Sequence, residues 1–189
     1  MLMLLQALCS TADAAPARPQ PAEHRSAVLA NPIGPVVAAV TTVTGTPTFD
    51  ANLKGHHMVG DSLGWTLQAD VLWIHVEDVD VMTTSLRGGP RISLGEQGLS
   101  GWYLTPFGTI GYTSLSASKQ NLAHYAVVGG GLEAGRAWMW EHFIMELGLG
   151  LYSAFPVAYK SPAEALAEER PINLSPIKPS LTWSLGYAF

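Results

Sequence analysis

The chain has 189 residues, of which 48% are hydrophobic and 13% charged, and 15 acidic against 10 basic side chains give a net charge of -5. This length suits a single domain with its own core. The mild acidity, without any basic run or stripe, excludes a nucleic-acid-binding surface, and the lack of long apolar runs after the N-terminus excludes a transmembrane helix.

The N-terminus has the pattern of a secretory signal peptide. A short apolar run is followed by the small-residue triplet ADA and then by a segment rich in Ala and Pro, which predicts a signal peptide over residues 1–15 and a linker over 16–26. No Lys or Arg precedes the apolar run, so a disordered tail is the alternative. The single cysteine, Cys9, lies inside the predicted signal with Leu8 before it, which does not fit a lipoprotein. The mature chain would therefore have neither a disulfide nor a catalytic thiol.

From residue 27 onward, large apolar residues alternate with small or polar ones, which indicates strands with one apolar face. The pattern is clearest in LGWTLQADVLWIH, HFIMELGLGL and SLTWSLGYAF. Eight strands of about ten or more residues result, the length that a tilted strand needs to cross a bilayer. In chain order they are expected at 31–43, 49–59, 63–75, 83–95, 100–114, 123–140, 142–151 and 180–189.

Two features of these strands conflict with a regular barrel. Four prolines, Pro32, Pro35, Pro90 and Pro106, fall inside predicted strands, although a closed barrel has no edge on which a missing N–H is harmless. Arg136 falls on the apolar side of the sixth strand unless a bulge shifts the register.

The connections are short after the second, fourth and sixth strands. Those on the opposite side include one of more than twenty residues between Phe155 and Lys178. Short turns at one end and longer loops at the other are typical of transmembrane β-barrels.

The face opposite the large apolar residues decides which face is buried. It carries Gly, Ser, Thr and a sparse set of charges, fewer than a surface in water usually carries, and an eight-stranded barrel is just wide enough for side chains to fill. The sequence therefore predicts an all-β membrane protein, an eight-stranded antiparallel up-and-down transmembrane β-barrel. A soluble lipocalin-like barrel, with its apolar residues inside, is the alternative.

The charges predicted to face the lumen nearly balance in sign. Because isolated buried ions are costly, we expect them to form a hydrogen-bonded network. Its members are Asp50, Lys54, Asp70, Arg87, Arg91, Glu133 and Glu146.

Aromatic residues cluster near the short-turn end and the C-terminus. Trp and Tyr favour the headgroup level of a bilayer, so they predict an aromatic girdle, with ordinary core aromatics as the alternative. The girdle residues are Trp102, Trp138, Trp140, Trp183 and Tyr187.

The ending SLTWSLGYAF, the segment NPIGPVV and the segment RGGPRISLGEQGLSGWYLTPFGTIGY resemble the small eight-stranded outer-membrane β-barrels of Gram-negative bacteria, of OmpA, OmpX or OmpW type. The resemblance covers residues from about 27 to 189. It implies a location in the bacterial outer membrane, contact with outer-membrane lipid and, through Phe189, an assembly signal read by the barrel assembly machinery. We expect a monomer with no nucleic-acid partner, no cofactor and no metal.

Three functions stay open, because function lies in loops and lumen rather than in the fold. The first is a non-enzymatic outer-membrane barrel with a side-chain-filled lumen and a structural or surface-interaction role. The second is a narrow channel or a small-molecule binding barrel, for which the glycines at 129–131 could leave space. The third is a lipid-modifying outer-membrane enzyme.

No complete catalytic constellation supports the enzyme. Lipid deacylases of this architecture carry a His-x-Ser pair, whereas His124 is followed by Ala126 at that position, and His75 has no such Ser either. Glu133 and Glu146 could form an acid–base pair, but adjacent arginines would hold both ionised. The His-His pair at 56–57 is too isolated for a metal site, and a structural role is expected instead.

Overall fold

A computed structural model describes residues 24–43, 48–94, 98–117, 120–160 and 177–189. The predicted signal peptide lies outside the described residues, as does the linker up to residue 23. Eight antiparallel strands follow one another around a closed barrel, and the last pairs with the first. The predicted fold class is confirmed. The elements are β1 Ser26–Ala30, α1 Ile33–Val43, β2 Thr48–Met58, β3 Leu63–Val76, β4 Val79–Leu94, β5 Gly101–Ala117, β6 Gln120–Trp140, β7 Phe143–Lys160 and β8 Lys178–Ala188.

The predicted alternation places large apolar side chains on the outside of the barrel. In β7, Leu147, Leu149 and Leu151 are exposed, whereas Ile144 and Glu146, which have the opposite parity, are fully buried. β3 behaves in the same way along its first half. Successive strand residues point to opposite faces, so the alternation in the sequence becomes an apolar exterior and a polar interior. A soluble barrel has the reverse arrangement.

The prediction of a strand over NPIGPVVAAVTTV is wrong, because this segment forms α1. The Asn31 side-chain oxygen accepts a hydrogen bond from the backbone N–H of Ile33 at 2.9 Å, as a helix cap does. Pro32 and Pro35 fall at the start of the helix, where N–H groups have no partner within the helix. The first strand lies immediately upstream, in SAVLA.

The two remaining prolines are accommodated together. Pairing between β4 and β5 is interrupted between Gly88 and Ile92, and the register on either side places Pro90 opposite Pro106. The two missing N–H groups therefore fall at a single interruption of the ladder. Gly89 adjoins this point, where an added Cβ would overlap the backbone of Pro106. A tight approach that only glycine permits thus accompanies the paired prolines.

The two ends of the barrel differ. We call the end at which β1 begins and β8 ends the base, and the opposite end the mouth. The long connection predicted before the last strand lies at the mouth, and a second long one there, 31–47, was not predicted; two other mouth connections are as tight as those at the base. β7 also continues to Lys160, so the last connection is shorter than expected. The base connections are 59–62, 95–100 and 141–142, and the mouth connections are 31–47, 77–78, 118–119 and 161–177.

None of the described segments is a helix of the length and apolar character needed to cross a membrane.

Candidate functional site

The bottom of the lumen is filled with apolar side chains. Leu99 folds inward from the connection between β4 and β5, and it is as completely buried as Ile144 of β7. Tyr103 borders the same cluster on its upper side. These residues close the base, and we call them the base plug: Ala27, Leu29, Met58, Leu99, Ala137, Ile144 and Ala188.

Above the base plug lies a buried ion cluster whose centre is Glu146. Arg91 donates to one carboxylate oxygen of Glu146 at 2.6 Å, and Lys54 lies 3.1 Å from the other. The Nε2 atom of His56 faces that second oxygen at 3.0 Å, while its Nδ1 atom lies 2.8 Å from the Thr66 hydroxyl. Glu146 therefore has three polar partners and no exposure to solvent.

Lys54 connects this carboxylate to a second one. Its ammonium donates to Glu133 at 2.9 Å, and Glu133 also accepts from the Tyr103 hydroxyl at 3.0 Å and from Thr182 at 2.9 Å. Four strands, β2, β4, β6 and β7, thus contribute the two cations and two carboxylates of one neutral arrangement. Burial of such groups is tolerated only when each charge is paired and hydrogen-bonded.

Arg91 fixes the ion cluster to the base plug. Its Nη2 atom donates to the backbone oxygen of Leu99 at 3.1 Å, and its guanidinium lies 3.9 Å from the ring centroid of Tyr103. The side chain is almost fully buried. The lower half of the lumen is therefore packed from the plug up to Glu133.

The remaining predicted lumen charges lie higher and form a separate group. Arg87 approaches Asp70 at 3.6 Å, and Asp70 also accepts from Asn52, from Gln68 at 2.8 Å and from Ser85 at 3.2 Å. The predicted single network is therefore two groups.

Asp50 belongs to neither group. Its carboxylate is 3.5 Å from the Asn31 amide, and no cation among the described side chains lies within ion-pair distance of it. Asp50 faces the lumen as expected, but it does not join the other charges, since β2 carries it above the level of the ion cluster.

A cavity of about 440 Å³ occupies the lumen on the mouth side of the ion cluster. Its wall includes Asp50, Asp70 and Arg87, together with apolar and aromatic side chains such as Val127 and Tyr152. The arrangement can hold a small ligand or water, and the packed lower half separates it from the base.

The outer wall is apolar over the height of the strands. Trp65 and Leu67 of β3, Ile110 of β5 and Leu181 of β8 are each more than half exposed, although burying one such side chain contributes about 1.5–3 kcal/mol. An apolar wall around a charged interior is stable in a bilayer and unfavourable in water. The chain is a small eight-stranded transmembrane β-barrel.

Comparison with known proteins adds a structural similarity. No model of a known protein family and no curated protein matches the sequence. The barrel is similar to the crystal structure of Ail, the attachment invasion locus protein of Yersinia pestis, with a TM-score of 0.45 and 15% sequence identity, covering 89% of this chain and 100% of that chain. Residue roles do not transfer at this level of identity, and the fold assignment rests on the strand pairing and faces of the barrel itself.

The predicted girdle residues all lie on the outward face of the barrel. Trp102, Trp140 and Tyr187 are more than half exposed near the base. Arg136 lies among them, with its guanidinium 5.6 Å from the Trp102 ring and 5.5 Å from the Trp138 ring. The register shift in β6 lies at Ala126 and Val127 instead, so Arg136 stays on the outer face. Trp183 lies higher, where it borders the cavity.

The other polar candidates do not assemble into a reactive site. His124 stacks on Tyr112 on the outer wall, and His75 pairs with Asp80 at 2.9 Å near the mouth. Glu133 and Glu146 are connected through Lys54, and only Glu146 contacts an arginine. The described residues contain no group of three or more His, Cys, Asp or Glu side chains placed to hold a metal ion.

Sequence reasoning missed three members of the ion cluster, His56, Tyr103 and Thr182. The signal for each was its parity. His56 follows Lys54 by two residues and so points to the same face. Tyr103 is adjacent to the outward-facing Trp102, and Thr182 to the outward-facing Leu181, so both point inward. Inward position predicts access to the lumen, but the level at which each side chain meets the others depends on the stagger between strands.

Proposed function

We propose that the protein is a non-enzymatic barrel of the bacterial outer membrane with a structural or surface-interaction role and a lumen that does not conduct. It is inserted as a monomer by the barrel assembly machinery, with Phe189 as the terminal signal. Outer-membrane lipid surrounds the wall, and the girdle residues near the base lie at the headgroup level. Interactions with other molecules then occur at the mouth.

The packing of the lower lumen is the observation that supports this proposal. An ion crossing the barrel would have to displace Arg91 from both Glu146 and Leu99, and then pass the base plug. Both carboxylates have their oxygens engaged by buried donors, so neither is free to transfer a proton to a substrate. A packed interior stabilises the barrel and offers no continuous path for water.

Recordings in planar bilayers combined with a fatty-acid release assay test the proposal. The full chain, refolded and inserted, is expected to give no single-channel steps, whereas a general porin in the same bilayer gives large ones. It is also expected to release no fatty acid from vesicles of phospholipid and lipopolysaccharide. Reproducible conductance steps would contradict the closed lumen, and released fatty acid would contradict the non-enzymatic role. A heat-dependent shift in gel mobility confirms that the tested protein is folded.

A further inference from the structure

The wall of the barrel is incomplete between β8 and β2 in its mouth-side half. β1 has five residues and pairs only with the Leu185–Ala188 part of β8. Above it, Lys178–Ser184 is paired with β7 on one side, and no described strand pairs with it on the other. The Thr48–Asn52 part of β2 likewise lacks a strand on that side.

The helix α1 covers the β2 side of this gap. The backbone N–H of Thr48 donates to the Thr41 hydroxyl at 3.0 Å, and Gly34 lies so close to β2 that an added Cβ would overlap the backbone oxygen of Asp50. Val36 and its neighbours on the helix expose apolar side chains outward. The helix therefore continues the apolar wall alongside β2. These contacts join it to β2 and not to the edge of β8.

The cavity borders the wall at this place. Most of its lining points into the lumen, but Leu181 and Trp183 also line it. These two side chains belong to the outward face of β8, on which Leu181 is the more exposed. Because no described strand pairs with β8 beside these two residues, the unpaired edge of β8 leaves the cavity room to open sideways.

The lining combines two kinds of chemistry. The outward side chains at the opening are apolar, whereas the lumen side has unsatisfied polar atoms, namely the Oγ atoms of Ser180 and Ser184 and the Oδ1 atom of Asn52, which are buried without a hydrogen-bond partner. Ser184 itself is fully buried. Buried polar atoms of this kind normally have a partner, either in the protein or in an ordered water molecule.

Two charges of the cavity also lack counterions. Arg87 and Asp70 neutralise each other, but Asp50 and Lys178 have no ion pair within the described part of the chain. One is negative and the other positive, and both line the cavity. A ligand with one phosphate and one ammonium group would supply a counterion to each.

We propose that the opening between β8 and α1 is a lateral binding site for a single-chain zwitterionic amphiphile, a lysophospholipid with an ammonium headgroup. The headgroup lies in the lumen, with its phosphate at Lys178 and its ammonium at Asp50. The acyl chain leaves through the wall across Leu181 and Trp183 into the mouth-side leaflet. The volume of the cavity falls within the range of roughly 300–1,000 Å³ that is common for small-ligand sites.

Photocrosslinking in lipid nanodiscs tests this site. The full-length protein is inserted into phosphatidylcholine nanodiscs and labelled with lysophosphatidylethanolamine that carries a diazirine on its chain. We expect crosslinks concentrated at Leu181 and Trp183, saturable and competed by unlabelled lysophosphatidylethanolamine. The opposite wall at Ile110 and Tyr112 of β5 reports non-specific contact with bilayer lipid. Even labelling of both walls without competition would overturn the proposal.

Charge variants distinguish the headgroup from the chain. D50N and K178A are each expected to reduce competed labelling at the opening about fivefold, as for loss of one partly exposed ion pair. Matched controls D61N and R25A, at exposed base-side positions, should leave it unchanged. Chain-matched diazirine fatty acid and monoacylglycerol should label the opening more weakly. Equal labelling by the fatty acid, with no loss in D50N, would overturn the zwitterionic assignment. Heat-dependent gel mobility verifies that every variant is folded. Conductance is measured separately, because it tests the closed lumen and not the lateral site.

Discussion

Glu146 shows why charged residues are tolerated in the interior of a small barrel. Its carboxylate is fully buried, but Arg91, Lys54 and His56 all contact it. The cost of removing these charges from water has already been met in the folded barrel by their mutual attraction and hydrogen bonds. Removing one charge therefore leaves its partners buried without compensation.

The variant E146Q is expected to destabilise the barrel by about 3–5 kcal/mol, the usual cost of breaking a buried ion pair from one side. Urea unfolding in phospholipid vesicles, followed by gel mobility, measures the change. The control E141Q alters an exposed glutamate in the 141–142 turn and should cost less than about 0.5 kcal/mol. Equal midpoints for the two variants would mean that the ion cluster contributes nothing to stability.

At the scale of the element, the sequence predicted seven strands well and the first one wrongly. In β2 to β8, large and small residues alternate because one face meets lipid and the other meets a narrow lumen. The sequence therefore predicts both the strands and the face on which each residue lies. The segment VVAAV has no such alternation. The signal for a helix was Asn31, a residue type that caps helices, followed by Pro32, which is favoured at the first helical position. The short strand SAVLA is apolar on both faces, because its inward side joins the base plug. It therefore lacks the alternation of apolar and polar residues by which the other strands were predicted.

The candidate site was predictable in membership but not in arrangement. Parity placed Lys54, Glu133 and Glu146 in the lumen. Which of them meet depends on the stagger between strands, and this is set by pairings that are distant in sequence. The opening beside β8 was beyond reach, because it follows from the length of β1.

The paired prolines of β4 and β5 give a test at the same scale. In G89A, the new Cβ would meet the backbone oxygen of Pro106, which cannot move without disturbing the ladder. We expect a loss of about 1–3 kcal/mol, typical of overpacking. The control G60A places its methyl group in open space in the 59–62 connection and should be nearly neutral in the same unfolding assay. If G89A is as stable as G60A, the close approach of β4 and β5 is not as described.

At the scale of the whole molecule, the interior is organised in three levels from base to mouth: the base plug, the ion cluster and the cavity. The lower two fill the lumen and hold the strands together, while the third leaves space beside the incomplete wall. Closure at the base and an opening at the side are compatible because β1 is short. It completes the wall beside the lower lumen and ends below the cavity. This organisation depends on one claim, that the apolar face of the strands contacts lipid.

Site-directed spin labelling along β5 tests that claim most directly. In a C9S background, nitroxides are placed at Thr109, Ile110, Tyr112 and Thr113, of which the two threonines line the cavity and the other two lie on the outer wall. In phospholipid vesicles, the labels at Ile110 and Tyr112 should collide readily with oxygen, which concentrates in lipid, and rarely with a water-soluble nickel chelate. The labels at Thr109 and Thr113 should be shielded from lipid-dissolved oxygen. The reverse pattern, or exposure of Ile110 and Tyr112 to the chelate, would contradict a transmembrane barrel.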